Sequence, residues 1–309
     1  MTGRKVLVTG GAGFIGSNLV RKLIEEGNSV TVLDNFMSGY RSNLDPFTSV
    51  NIIEGDVRDK NAVEEAVRGA EVVFHLAASV GNKRSIDHPI TDAEINVLGT
   101  LQVLEASRKY GVRKIVTSSS AGIFGELKTI PIREDHPIEP DSPYGCTKLC
   151  EEKLSLAFGK LYPIETICLR YFNVYGPNQR FDAYGNVIPI FVFRMLRKEP
   201  LIIFGDGEQT RDFVHVDDVV QANIKAANAK GVSGAFNIAS GKSVTINKLI
   251  KMIGTRSSVP LKLEFGPERP GDVKHSLADI SAAQKKINYK PSVDLKIGLA
   301  EYINWARTQ

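Results

Sequence analysis

Seven consecutive residues, Gly10-Gly11-Ala12-Gly13-Phe14-Ile15-Gly16, contain four glycines and separate two segments of different periodicity. Before them, Lys5–Thr9 (KVLVT) is a short apolar run, the pattern of a strand buried on both faces. After them, Phe14, Ile15, Leu19, Leu23 and Ile24 recur with helical spacing until Gly27, a residue type that often follows a helix. An ordinary strand-to-helix turn rarely needs so many glycines. Gly10 and Gly13 allow a tight turn in which the amides of Phe14 and Ile15 face a pyrophosphate at the helix N-terminus, and Gly16 lets helix and strand approach closely. The segment therefore predicts a dinucleotide-binding turn.

The rhythm continues through the first half. Ser29–Leu33, Val50–Glu54, Val72–Leu76, Lys114–Ser118 and Glu165–Leu169 read as strands, with long helices at about Thr91 to Tyr110 and Pro143 to Lys160. Alternating strands and helices predict an α/β fold, a doubly wound parallel sheet of the Rossmann type. Past residue 170 the loops lengthen and glycine and proline cluster in Tyr175–Pro189 and Phe265–Gly271. Leu201–Phe204 reads as a strand among helices at Ile188–Arg197, Val216–Ala229 and Thr245–Ile253. The expected organisation is a cofactor domain over 1–170 and a smaller mixed α/β substrate lobe over 171–309, with part of 210–230 packing back on the first. Ligands of such sheets lie off the carboxyl ends of the strands.

Composition narrows the function classes. The 309 residues carry 39 basic and 35 acidic side chains, a net charge of +4, so no polybasic nucleic-acid signature is present. Cys146, Cys150 and Cys168 make an odd set without zinc spacing, so neither a metal site nor a disulfide framework is expected. No run approaches 18 apolar residues and no apolar leader precedes the first strand, so no membrane partner is expected and the expected compartment is the cytoplasm.

Asp34 ends the second strand, 18 residues after Gly16. A carboxylate there accepts from both ribose hydroxyls and repels a 2′-phosphate, which favours NAD over NADP. Asp56 and Val57 follow the third strand, placed to meet the adenine. Leu76-Ala77-Ala78 ends the fourth with small residues that permit close approach. Tyr144 and Lys148 sit four apart near the start of a helix, so phenol and ammonium share a face. The ammonium stabilises the phenolate and makes Tyr144 a usable base. Alone, such a pair reads as surface decoration; after a dinucleotide turn and the run Ser118-Ser119-Ser120 it is far more specific.

With these residues in place the sequence resembles the extended short-chain dehydrogenase/reductases, in particular the UDP-hexose 4-epimerases. The similarity runs through His75-Leu76-Ala77-Ala78, Arg170-Tyr171-Phe172-Asn173-Val174-Tyr175-Gly176-Pro177, Gly205-Asp206-Gly207, Arg211-Asp212-Phe213-Val214-His215 and Arg269-Pro270-Gly271-Asp272. The resemblance implies Tyr144 as base, Lys148 on the nicotinamide ribose and Ser120 in the proton relay. It adds Asn35, Ser38, Gly39, Asn96, Ser118 and Phe172 to the cofactor set. For a UDP-sugar substrate it implies Asn173, Asn186 and Val187 at the diphosphate or sugar. It places Leu201, Ile203 and Phe204 against the uracil through their backbone, Arg211 and Arg269 on the diphosphate, and Asp272 on the uridine ribose. Without the resemblance both arginines read as solvated surface residues.

Within that family, 4,6-dehydratases carry an Asp-Glu pair after the serine or threonine, and decarboxylases a nearby glutamate. Ala121 and Gly122 stand there instead, which leaves C4 epimerisation of UDP-glucose and UDP-galactose as the expected reaction. Phe124 replaces the family's usual tyrosine as conservative packing. Ser276 stands where the family walls the sugar pocket; a small residue there implies tolerance of a 2-N-acetyl group. A UDP-glucuronate 4-epimerase would share every cofactor residue, and a non-catalytic NAD-binding regulator would usually lack Tyr144 or Lys148. The helices near Thr91–Tyr110 and Pro143–Lys160 resemble the pair that forms the family's homodimer interface, with Leu149, Leu154 and Phe158 fitting interface or core.

Overall fold

The computed structural model describes residues 1–181, 186–257, 260–268 and 273–309. Its main layer is a seven-stranded parallel sheet. In chain order the strands are β1 (Lys5–Thr9), β2 (Ser29–Asp34), β3 (Asn51–Glu54), β4 (Val72–His75), β5 (Lys114–Ser120), β6 (Glu165–Tyr171) and, from far beyond residue 170, β10 (Gly234–Ile238). Their spatial order is β10-β6-β5-β4-β1-β2-β3. The order reverses between β1 and β4, and it is at such a reversal that an open sheet holds its ligand.

The apolar runs are explained by burial on two sides. Val6, Val8, Phe74 and Val116 face one core with Leu19, Val20 and Leu23 of α1 (Phe14–Glu25). Leu7, Val73 and Ile115 face the other, with Val63 of α2 (Lys60–Val67) and Val103 and Leu104 of α5 (Thr100–Lys109). Helix α6 (Pro143–Leu161) covers that second face through Leu154 and Phe158. Alternate residues of a strand must point to opposite faces, so both sets are apolar.

The long helix expected over Thr91–Tyr110 is a run of three pieces, preceded by the separate short helix α3 (Asn82–Asp87): α4 (Pro89–Ala93), a π-helical turn, Glu94–Gly99, and then α5. Such a turn admits one extra residue and redirects side chains, often at functional sites. Here it carries Asn96 inward, and it brings Gly99 so near Val57 that a Cβ would lie 2.7 Å from Val57 Cγ2. Strands β5 and β6 each run two residues further than their apolar pattern predicts, because Ser119 and Ser120 pair in register with Arg170 and Tyr171.

The remaining strands are short: β7 (Asn173–Tyr175), β8 (Leu201–Phe204), β9 (Thr210–His215), β11 (Ser243–Thr245) and β12 (Leu263–Gly266). They form a mixed sheet ordered β11-β9-β7 and a parallel pair β12-β8. These pack with α7 (Val187–Leu196), α9 (Ile246–Gly254) and α11 (Leu295–Ala306) around Phe191, Phe213, Leu249, Leu299 and Tyr302. Helix α8 (Val216–Asn228) lies instead on the main layer. Val219 and Val220 join the core of α1, Arg21 pairs with Asp217 at 3.0 Å, and Tyr171 and Asn223 share a buried hydrogen bond. A last helix, α10 (Ser281–Ile287), packs on the same face through Ala283 and Ile287.

Candidate active site

The glycine turn has the geometry of a phosphate cradle. Gly10 adopts φ +70°, and a Cβ on it would stand 2.7 Å from the backbone nitrogen of Ala77. Gly13 caps α1 with no side-chain acceptor, and the first turn of that helix carries no acidic residue. The leading amides and the positive end of the helix dipole are therefore left for an anion. Gly39 closes over the turn from the β2–β3 connection, with Tyr40 N donating to Ala12 O at 3.1 Å; a Cβ on Gly39 would meet Ala12 at 2.9 Å. Ser38, beside it, is exposed.

Asp34 ends β2 and is buried; its carboxylate accepts from the amides of Ala12 and Phe36 at 2.9 and 2.8 Å. Burial raises its pKa and the two amides oppose that. Asp56 is held by Arg58 and by Asn35 Nδ2 at 2.8 Å, and Arg58 holds its carboxyl down at about 2. Val57 is buried beneath it. On the far side of the turn, Thr9 Oγ1 accepts from the amides of Leu76 and Ala77, both at 3.2 Å. His75 bridges Thr9 and Thr100 at 2.8 and 2.9 Å, and burial lowers its pKa to about 3, so the ring is neutral. Asn96 accepts from Ser79 N and reaches Thr147 of α6 at 3.1 Å, tying the π-turn to the helix that carries Tyr144.

At the carboxyl end of β5 the three expected groups converge. Ser142 caps α6 and accepts from Gly145 N, while Tyr144 N donates to Ser85 Oγ at 3.0 Å; together they fix the first turn. Tyr144 faces Ser120 closely enough for the serine hydroxyl to lower its pKa. Ser120 Oγ itself accepts from Gly122 N at 3.1 Å, leaving its own proton free to donate. Lys148 Nζ donates to Ser118 Oγ at 3.2 Å and to Glu151 Oε2 at 2.6 Å. Burial raises the Tyr144 pKa, Lys148 and Ser120 lower it, and Glu151 and Asp92 raise it again. A Cβ on Gly122 would lie 3.3 Å from Ser120 Oγ and 3.6 Å from Tyr144 Cε1, so any side chain at that position would stand at the reacting centre. Phe124 is core: its ring packs edge-on to His136 and beneath Arg170. Phe172 is buried 6.5 Å from it.

The second lobe supplies the remaining candidates. Asn173 Nδ2 donates to Asp212 O, and Asn186, at the start of α7 beside Val187, donates to Val174 O. Strand β8 buries Leu201 and Ile203 and half-buries Phe204; among the described residues β12 is its strand neighbour, on one edge. Arg211 is anchored by the carbonyls of Thr210 and Val273 at 2.8 and 2.6 Å. Ser276 is buried, its amide directed at Thr210 Oγ1. Arg269 and Asp272 lie outside the described residues.

Sequence reasoning missed two acids on α6. Glu152 is buried, accepts from Ser119 and binds Arg170 through both oxygens at 2.9 and 2.8 Å. Glu151 takes Lys148. Their signal was position: three and four residues beyond Lys148 lie on the same helix face. Elsewhere, His215, Asp217 and Glu301 bring ligand-type atoms within 4.8 Å of one another. His215 Nδ1 is engaged with the amide of Asp217 as the cap of α8.

Residues 6–239 match the model of the NAD dependent epimerase/dehydratase family. The chain belongs to that family. Its cofactor is NAD, and the cradle between Gly10, Gly13, Gly39 and Asp34 fits it. A putative UDP-glucose 4-epimerase from Methanocaldococcus jannaschii is 42% identical over 98% of both chains. Among solved structures, the UDP-N-acetylglucosamine 4-epimerase of Methanobrevibacter ruminantium, in complex with UDP-N-acetylmuramic acid, is 38% identical over all of both chains with a TM-score of 0.94. The UDP-glucose 4-epimerase of Thermotoga maritima with UDP-glucose is 41% identical, covers 98% of this chain and 99% of its own, and has a TM-score of 0.93. A UDP-glucuronic acid 4-epimerase from Bacillus cereus, with UDP-glucuronic acid and NAD, is 32% identical over 98% and 99% with a TM-score of 0.90. No helix among the described residues is long and apolar enough to cross a membrane.

Proposed function

We propose that the chain is a UDP-sugar 4-epimerase that interconverts UDP-glucose and UDP-galactose and tolerates their N-acetylated counterparts. The observation that carries this reading is the reacting centre itself: Tyr144, Ser120 and Lys148 converge there, and Gly122 leaves it without an acid. Loss of water or carbon dioxide needs a further acid–base group at that place. Inversion at C4 needs one base that can act twice.

Bound NAD supplies the hydride acceptor and then the donor for oxidation of C4 and its reduction from the other face. Tyr144 takes the proton of the C4 hydroxyl and later returns it. Ser120, already accepting from Gly122 N, donates toward the phenol oxygen and shortens the proton's path. Lys148 stabilises the phenolate. Asn173, Asn186, Val187, Arg211 and the edge of β8 opposite β12, with Arg269 and Asp272, hold the nucleotide while the sugar turns. Arginine suits that task because its guanidinium meets phosphate oxygens in pairs. Ser276, small and buried, leaves room for a 2-N-acetyl group.

Two copies would pair through the helical run 89–109 and α6, where Ile90 and Leu98 are exposed while Leu149, Leu154 and Phe158 pack inward. Incubation with UDP-glucose, UDP-N-acetylglucosamine and UDP-glucuronate, followed by chromatographic separation of epimers, tests the reaction. Turnover of none, or of UDP-glucuronate alone, would overturn it.

A further inference from the structure

Helix α6 brings two carboxylates into the protein interior in succession, and they have different partners. Glu152 is satisfied by Ser119 and Arg170. Glu151 has one hydrogen-bonding partner, Lys148 Nζ at 2.6 Å, and its other oxygen is buried with none. Both members of the pair are sealed from solvent, Lys148 at 2% and Glu151 at 0% side-chain exposure. A carboxylate in such a place persists only when a cation meets it, and the cation it meets is the one that serves the tyrosine.

We infer that Glu151 is a positioning residue that holds the Lys148 ammonium in place and offsets its charge, and so governs how readily Tyr144 gives up its proton. This rests on the reading of Tyr144 as the base. The charged and titratable groups around Glu151 are Lys148, Glu152, Cys150 and Tyr144 on its own helix, Asp92 on α4, and Cys168 and Tyr171 on β6. His75 on β4 senses Lys148 from the other side. Of these, Lys148 is the one cation in contact, so Glu151 offsets the charge that lowers the Tyr144 pKa, and Asp92 adds a smaller push in the same direction as Glu151. Burial pushes the Glu151 carboxyl up to about 7. Below that pH the acid is neutral and Lys148 acts on Tyr144 without its paired counter-charge; above it the carboxylate counters the ammonium and Tyr144 holds its proton more tightly.

The test is the ultraviolet titration of Tyr144 in the NAD-loaded protein, isolated from the other tyrosines by subtracting the Tyr144→Phe variant. No sugar is needed, so failure of the UDP-sugar panel would leave it intact; turnover by Tyr144→Phe would instead remove the base on which it rests. Glu151→Gln removes the charge at constant shape, and the Tyr144 midpoint should fall by about one pH unit. Glu151→Asp keeps the charge but shortens its reach, and should fall between. The pH at half-maximal turnover of the probe UDP-glucose should follow the same order. The expected ranking is wild type highest, Glu151→Asp next, Glu151→Gln lowest, and either variant alone decides the direction if the other does not fold. A purely packing role would lower the melting temperature in both without moving either midpoint. An unmoved midpoint, or an alkaline move in either variant, would overturn the assignment.

Discussion

A methyl group on Gly16 would stand 2.1 Å from the carbonyl oxygen of Gly10, and 2.8 Å from the Cα of Gly11. Helix α1 and the turn that precedes it are thus in backbone-to-backbone contact, with no side chain to give way. Gly16→Ala must push the helix out of the turn and move the leading amides off the pyrophosphate. The expected result is loss of NAD from the purified protein together with a drop in melting temperature; Lys285→Ala, exposed on α10, should change neither. Cofactor content by absorbance after acid release, and a thermal melt, check both.

Tyr144→Phe keeps the ring and removes the oxygen that carries the proton. Turnover should fall by roughly 10² to 10⁴-fold, the usual contribution of a positioned acid–base group, while bound NAD is retained. Gly122→Glu is a companion change. It places an acid beside Ser120 and Tyr144, and should depress epimerisation by filling the sugar site. Full activity in Gly122→Glu would show that this position does not border the substrate.

Ser276→Tyr should narrow the site. Added bulk at a pocket wall discriminates by roughly 10 to 200-fold for a small substituent, so kcat/KM for UDP-N-acetylglucosamine should fall much further than for UDP-glucose. Equal losses on both would remove Ser276 from the sugar wall.

His75 gives stability a pH dependence with a definite sign. Its pKa is about 3 in the folded chain because of burial, against about 6.5 when unfolded. Between those values the unfolded chain binds the extra proton, so stability is full above the unfolded value and is lost progressively as pH falls toward about 3. His75→Asn removes that titration. The urea midpoint of the variant should vary less steeply with pH across this window, even if it starts lower.

Arg180 lies 3.9 Å over the ring of Tyr40 and donates to Ser42 Oγ at 3.3 Å. This stacking joins the loop over the glycine turn to the segment that follows Pro177, itself held by Asn18. A cation over a ring at a half-exposed site contributes about 0.5–1 kcal/mol. Tyr40→Ala should therefore speed NAD release several-fold without altering the pH profile of turnover, measured by exchange of bound cofactor in stopped flow.

The first half of the fold was legible because strands buried on both faces must be continuously apolar, and Leu7, Val73 and Ile115 satisfy that as fully as Val6, Phe74 and Val116. The cofactor turn and the Tyr144–Lys148 spacing were legible for the same reason: backbone geometry leaves few residue choices. Helix α8 packs on α1 and the main layer through Val219 and Val220. Strands β7, β9 and β11 were not readable, being three to six residues long with polar members such as Asn173 and Arg211. The π-turn escaped because its residues keep helical periodicity on either side. Glu151 escaped because an acid three residues from a lysine usually marks a solvated helix face, and only the packing of α4 and β6 around α6 makes this one interior.

The return of α8 and β10 to the main layer has a consequence for how the gene can be divided. Arg21 finds Asp217 there, Tyr171 finds Asn223, and the edge of β6 finds residues 234–238. A fragment ending at Arg170 would expose the outer edge of β6 and the apolar face of α1 together, an invitation to pair with other chains. The polypeptide should accordingly resist truncation at its apparent midpoint, and complementation by two co-expressed halves should succeed only if the second half carries α8 and β10 intact.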